Sequence, residues 1–143
     1  MVKLQQNYLE KEVLQGSSLD HILMLYGKAI NSLKLVKKNV EEGLNTPEAV
    51  KNKAEALTKA IDILVYLQAI LDHEKGGEVS AKLQEIYGIL IDELVKFNFT
   101  NDLKVIQDSI EILENLRKAW QSIKAQKLVE NKAHHAEFVS SRI

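Results

Sequence analysis

Apolar residues recur at steps of three and four positions along most of this chain. In the first such segment they are Leu19, Ile22, Leu23, Tyr26, Ala29, Ile30, Leu33, Val36 and Val40. This spacing aligns side chains on one face of an α-helix. Similar stripes predict four helices, over about residues 18–42, 47–74, 77–97 and 101–128. No segment alternates with period two, so the sequence predicts no strand.

Turn and capping residues separate these segments. Gly43 can close the first helix in the left-handed conformation that glycine adopts without strain. Thr46 is a suitable cap before Pro47, which stands at the first helical position, where a missing N–H costs nothing. Gly76 and Gly77 are consecutive and predict the corner between the second and third helices.

Short connections between long helices favour antiparallel neighbours. The sequence therefore predicts an all-α fold, an antiparallel up-down four-helix bundle over residues 17–128. Residues 1–16 are expected to form a short mobile N-terminal segment. The helical periodicity is lost after the fourth helix, so residues 129–143 are expected to be frayed or disordered.

Composition narrows the classes of function. The 143 residues include 19 basic and 20 acidic ones, so no overall field attracts nucleic acid. The chain has no cysteine, which fits a reducing compartment and predicts a cytoplasmic protein. No apolar run approaches the roughly 20 residues of a membrane span, so no direct membrane insertion is expected.

Catalytic and cofactor motifs are not recognisable. A di-iron site in a helical bundle needs Glu-x-x-His pairs, and none of the four histidines has a glutamate three residues before it. Asp72, His73 and Glu74 are consecutive, so on a helix they point in different directions and cannot converge on one ion. The sequence predicts no catalytic residue, no metal, no cofactor and no enzyme activity.

The helices carry more apolar residues than one core-facing stripe requires. We expect some of the surplus to form grooves that accept amphipathic segments of a partner. Ordinary surface, a wider core or a homodimer interface would give the same pattern. The candidate anchors of a bound client are Met24, Ile63, Tyr66, Ile70, Ile91 and Val95.

Three blocks of the chain resemble the flagellin-specific export chaperones of the bacterial flagellar secretion system. They are "SSLDHILMLYGKAI" at residues 17–30, "LDHEKGGEVSAKLQEIY" at 71–87 and "LENLRKAWQSI" at 113–123. The consecutive glycines and the single tryptophan are the most specific features. We expect the motif residues to serve mainly core or inter-helix packing; these residues are Tyr26, Leu71, Tyr87 and Trp120.

The resemblance implies a cytoplasmic chaperone without catalysis. Its client is the disordered C-terminal segment of flagellin, which the family holds in surface grooves. Binding prevents premature polymerisation and delivers flagellin to the membrane protein of the flagellar export gate. The resemblance also implies that the N-terminal segment around Tyr8 covers part of the groove in the absence of client. The alternative is a helical adaptor that binds another amphipathic client or self-associates through the same grooves.

Overall fold

The computed structural model describes residues 19–141, and this part of the chain consists of four helices without an extended strand. The helices are α1 (Leu19–Glu41), α2 (Pro47–Ala69), α3 (His73–Thr100) and α4 (Leu103–Ser141). α1 packs against α2 and α4, and α3 packs against the same two helices. The predicted all-α four-helix bundle is confirmed. The N-terminal segment of residues 1–16 lies outside the described residues.

Side-chain contacts between α1 and α4 show their relative direction. Lys37, near the end of α1, donates from Nζ to Oε1 of Gln107 near the start of α4, at 2.9 Å. Asp20, at the start of α1, forms an ion pair with Lys124, far along α4. The two helices are therefore antiparallel.

Side-chain hydrogen bonds also connect α2 with α3. Gln68, near the end of α2, donates from Nε2 to the carbonyl oxygen of Gln84 at 3.1 Å. Lys53, near the start of α2, reaches the carbonyl oxygen of Asn98 near the end of α3 at 3.4 Å. These helices are antiparallel as well, which the short connection between them requires.

The core runs along the centre of the bundle and receives side chains from every helix. Burying one such large apolar side chain contributes roughly 1.5–3 kcal/mol relative to leaving it exposed. Packing of these faces therefore supplies most of the stability of the helices. The largest fully buried side chains are Tyr26, Tyr87, Phe97, Ile22, Ile30, Leu33, Leu64, Leu67, Leu94, Ile106 and Leu113.

The connection between α1 and α2 forms as predicted. Gly43 has φ of 99°, in the left-handed region. Thr46 caps α2, because its hydroxyl oxygen accepts a hydrogen bond from the backbone N–H of Ala49 at 3.1 Å. Pro47 is the first residue of the helix. Local chemistry thus sets this boundary.

The corner between α2 and α3 lies earlier than predicted. α2 ends at Ala69 and not near residue 74, and α3 begins at His73 and not near residue 77. The reason is Asp72, whose backbone is extended and whose Oδ1 accepts a hydrogen bond from the backbone N–H of Lys75 at 3.0 Å. A capping residue must stand outside the helix, so the preceding helix ends before Asp72.

Gly76 and Gly77 consequently follow the first turn of α3, so Gly77 turns the chain one helical turn after the cap and not directly after α2. Gly77 has φ of 52° and ψ of −126°, which interrupts the helical geometry and produces a kink. Ser80, after the kink, donates from its hydroxyl to the carbonyl oxygen of Asp72 at 3.0 Å. The glycine therefore lets the chain redirect the helix just after its cap.

The last two boundaries also differ from the prediction. α3 continues to Thr100, and Asn101 ends it in the left-handed conformation with φ of 51°. α4 starts at Leu103 and extends to Ser141, beyond the predicted end near residue 128, and the frayed or disordered tail expected from residue 129 stays a prediction. The sequence has no glycine after Gly88 and no proline after Pro47, and nothing in the chain chemistry stops the helix.

Candidate functional site

A groove runs between α1 and α2 on the surface of the bundle. Its volume is about 630 Å³. We call it the larger groove, and it is lined by Leu25, Lys28, Ala54, Glu55, Thr58, Lys59, Asp62, Ile63 and Tyr66. Its lining thus combines apolar residues with charges of both signs.

Tyr66 is the most prominent apolar side chain of the larger groove. It is 42% exposed, and its ring meets the ring of His21 edge to face, with centroids 6.1 Å apart. An exposed tyrosine held by an aromatic neighbour offers a large contact area at low entropic cost, because its orientation is already restricted.

A second groove lies on the other side of α2, towards α3. Its volume is about 240 Å³. We call it the smaller groove, and it is lined by Ala54, Leu57, Thr58, Ile61, Val95, Asn98 and Phe99. No ionisable residue belongs to this lining, so the smaller groove suits uncharged groups.

The predicted client-binding residues divide into those that line a groove and those that do not. Ile63 and Tyr66 line the larger groove, and Val95 lines the smaller one. Met24 is 47% exposed on α1 but belongs to neither lining.

The remaining three candidates have other surroundings. Ile70 and Ile91 are half-buried and pack against the hydrophobic core, outside both linings. Tyr8 lies outside the described residues, so its predicted cover over the groove stays a prediction.

The prediction that Ile63 points away from the core is wrong. Ile63 is only 9% exposed and belongs to the core, although it also lines the larger groove, and Ile61 is half-buried and packs against the core. Ala56 and Ala60 are buried on the same face of α2, seven and three residues before Ile63. Alanine side chains are small and contribute little to a hydrophobic pattern. The core face of α2 predicted from the large apolar residues alone is therefore rotated about the helix axis relative to the observed one.

Phe99 is the most exposed of the groove residues that sequence reasoning missed. It is 83% exposed and lines the smaller groove near the end of α3. Phe97, two residues earlier, is fully buried. Side chains two positions apart on a helix point in nearly opposite directions, so the buried Phe97 was the signal that Phe99 had to face outward. Placing the helix end at residue 97 concealed it.

The three motif blocks meet in the core through one chain of hydrogen bonds. The hydroxyl groups of Tyr26 on α1 and Tyr87 on α3 are hydrogen-bonded to each other. Trp120 on α4 donates from Nε1 to the hydroxyl oxygen of Tyr26 at 3.2 Å. Burial raises the pKa of both tyrosine hydroxyls. The predicted packing role of these residues, and of buried Leu71, is confirmed.

Residues 19–141 show neither a metal site nor a membrane-spanning helix. Within this range no group of three or more potential ligand side chains is arranged to hold a metal ion. None of the helices described has both the length and the apolar character needed to cross a membrane.

The sequence profile of the flagellar protein FliS family matches residues 1–127. This chain belongs to the FliS family. The match confirms the family that the three motif blocks indicated. It stops within α4, so the last part of that helix lies beyond the family's common region.

Individual FliS proteins are similar over most of their length. Flagellar secretion chaperone FliS of Salmonella typhimurium is 36% identical over 116 residues, which cover 80% of this chain and 82% of that protein. The Vibrio cholerae protein of the same name is 32% identical over 102 residues, 71% of each chain. Flagellar secretion chaperone FliSB of Pseudomonas aeruginosa is 27% identical over 123 residues, 86% of this chain and 94% of that one.

Proposed function

We propose that this protein is a cytoplasmic flagellar secretion chaperone that binds the C-terminal segment of flagellin in the grooves beside α2. It keeps flagellin from polymerising before export and delivers it to the membrane protein of the export gate. The observation that carries the proposal is the pair of open, largely apolar grooves on a chain of the FliS family.

The surface suits a client that folds as it binds. A disordered segment loses conformational entropy on binding, so it needs a large apolar surface to retain useful affinity. Exposed Tyr66, Val95 and Phe99 supply such contacts on both sides of α2. The charged residues around the larger groove can orient an amphipathic segment, and like the polar rim of other interfaces they can stay in contact with water.

Size-exclusion chromatography with light scattering tests the proposal, using the full chain alone and with a synthetic peptide of the flagellin C-terminal segment. We expect a monomer alone and a 1:1 complex with the peptide. A stable dimer that ignores the peptide would instead support self-association through the grooves.

Groove variants identify the binding surface. Tyr66→Ala and Val95→Ala should each weaken peptide binding by about tenfold, since truncating a central apolar anchor costs more than about 1 kcal/mol. Ile89→Ala is the matched control, because Ile89 is 54% exposed on α3 and lines neither groove. Equal losses in all three variants would contradict the assignment.

Delivery requires a second measurement. The chaperone with and without the flagellin peptide is passed over the immobilised cytoplasmic part of the export-gate protein. We expect stronger retention of the loaded chaperone than of the free one. Equal retention would count against delivery while leaving client binding intact.

A further inference from the structure

Polar side chains join α1 to α4 in successive pairs along the contact between the two helices. Each pair connects a charged side chain with an ionic or hydrogen-bonding partner on the opposite helix, so these charges are compensated within the protein. The pairs, in order along α1, are Asp20–Lys124, Lys34–Glu114 and Lys37–Gln107. Between the first pair and the second, α4 carries Arg117, for which α1 supplies no such partner.

Arg117 faces a glycine across this contact. Gly27 is seven residues after Asp20 on α1, and Arg117 is seven residues before Lys124 on α4, so in antiparallel helices the two lie opposite each other. A Cβ added to Gly27 would stand 4.0 Å from Nη1 of Arg117. Among residues 19–141, this nitrogen is the only atom outside α1 at so short a distance. Glycine therefore leaves open the space that a side chain would fill.

The guanidinium of Arg117 is half-buried and unpaired. Within residues 19–141, Nε of Arg117 is buried without a hydrogen-bond partner, and none of the ion pairs includes this arginine. Arginine does not lose its proton in proteins, so the positive charge persists. A charge partly removed from water without a partner costs free energy, and the site therefore favours an anion. We call the space between Gly27 and Arg117 the Arg117 socket.

We propose that the Arg117 socket binds the carboxylate of an acidic side chain from another segment. The terminal N–H groups of a guanidinium match the two oxygens of a carboxylate, and the missing side chain of Gly27 gives that carboxylate room. One positive charge between compensated pairs balances one negative charge, whereas a phosphate group carries up to about two. Neither Gly27 nor Arg117 lines a groove beside α2, so the socket is a separate site.

Two sources can supply this carboxylate. One is the chain itself, because residues 1–18 contain two acidic residues, Glu10 and Glu12. Gly27 lies roughly 12 Å along α1 from Leu19, a span that about four extended residues cover. The other source is an acidic side chain of the bound client, and only this second source rests on the proposed function.

A double-mutant cycle tests whether the socket accepts a carboxylate. It is carried out in full-length Glu10→Gln/Glu12→Gln protein, so that residues 1–18 offer no acid. Gly27→Asp places a carboxylate in the socket, and Gly27→Asn is the matched control, because it has nearly the same shape without the charge. We expect the urea midpoint of Gly27→Asp to lie about 0.3–0.5 M above that of Gly27→Asn.

Arg117→Gln should abolish this difference between the two Gly27 variants. Arg117→Lys, which keeps the charge but not the planar group, should retain only part of it. Equal midpoints for the two Gly27 variants in the presence of Arg117 would overturn the proposal. A difference that survives both Arg117 substitutions in full would do the same, since the carboxylate would then interact with another group.

Nitrogen-15 NMR of the arginine side chains identifies the source. The chain has two arginines, Arg117 and Arg142, so two Nε–Hε signals are expected, and Arg142→Lys assigns them. In the protein alone, movement of the Arg117 signal on Glu10→Gln/Glu12→Gln substitution identifies residues 1–18. Movement on saturation with the flagellin C-terminal peptide, but not with a peptide whose acidic residues are changed to amides, identifies the client.

An Arg117 signal that stays unchanged in both comparisons would overturn the proposal that a protein segment fills the socket. Failure of the native peptide to bind the chaperone would contradict the proposed function instead. The comparison in the protein alone then decides the socket, with movement of the Arg117 signal supporting it and no movement refuting it.

Discussion

The buried chain of hydrogen bonds predicts unequal effects of two chemically identical substitutions. Trp120 has a single donor, Nε1–H, so the hydroxyl oxygen of Tyr26 accepts from it. The same Tyr26 hydroxyl is bonded to Tyr87. Tyr26 is therefore the central member of the chain, and Tyr87 is terminal. Both tyrosines are fully buried.

The cost of each substitution follows from the number of groups left without a partner. Tyr26→Phe removes the partner of both Trp120 and Tyr87, and at roughly 1–3 kcal/mol for each unsatisfied group it should cost about 2–4 kcal/mol. Tyr87→Phe removes only one of the two hydrogen bonds of the Tyr26 hydroxyl, whose oxygen still accepts from Trp120. This substitution should cost about 1–2 kcal/mol. The double variant should be no less stable than Tyr26→Phe, because the second change removes a hydroxyl that the first had left unpaired.

Urea unfolding measures these differences. Far-UV circular dichroism follows the helices, and the fluorescence of the single tryptophan, Trp120, follows the site itself. The slope of the free energy of unfolding against urea concentration should be the same in all variants, so that differences in the midpoint report differences in stability. Equal costs for Tyr26→Phe and Tyr87→Phe, or costs that add in the double variant, would refute the assigned order of the hydrogen bonds.

Three further predictions concern the fold. Burial raises the pKa of Tyr26 and Tyr87 above the usual value of about 10, so the unfolded state loses these protons first as pH rises. The free energy of unfolding should therefore decline above about pH 10. Urea unfolding at increasing pH measures this decline, which should be smaller in the double phenylalanine variant. Gly77→Ala should lower the free energy of unfolding by about 1–2 kcal/mol through its positive φ alone, since no atom lies within 4 Å of the added Cβ. Gly27→Ala lies within regular helix and should raise the free energy of unfolding by up to about 1 kcal/mol in the same assay. Asp72→Ala should lower the free energy of unfolding by about 0.5–2 kcal/mol through loss of the α3 cap and Asp72→Asn should recover most of it, measured by thermal unfolding.

Helical periodicity predicted the number, type and order of the elements but not all of their ends. Thr46 and Pro47 marked the start of α2 correctly because capping depends on residues adjacent in sequence. At the next corner two local signals competed. The paired glycines suggested a turn, but Asp72 caps α3 first and Gly77 forms a kink inside it. Only the backbone angles distinguish these two uses of glycine.

The candidate site was predicted only in part for a similar reason. Tyr66 and Val95 line grooves, and their hydrophobicity beyond the core stripe was visible in the sequence. Ile63 proved to be core because buried alanines, which sequence patterns weight little, set the true face of α2. Phe99 was missed because its exposure depends on how far α3 continues. Each error concerns the orientation of a helix about its axis or the position of its end, and not the presence of the helix.

The sequence by itself determined the four helices, their antiparallel order and, through three motif blocks, the family. These properties depend on residues close together in the chain, where spacing and capping act directly. Tertiary structure alone decided which surplus apolar residues line grooves, because exposure depends on the neighbouring helix. It also joined Tyr26, Tyr87 and Trp120, which lie 61 and 94 positions apart, since contacts over such separations exist only after the helices pack.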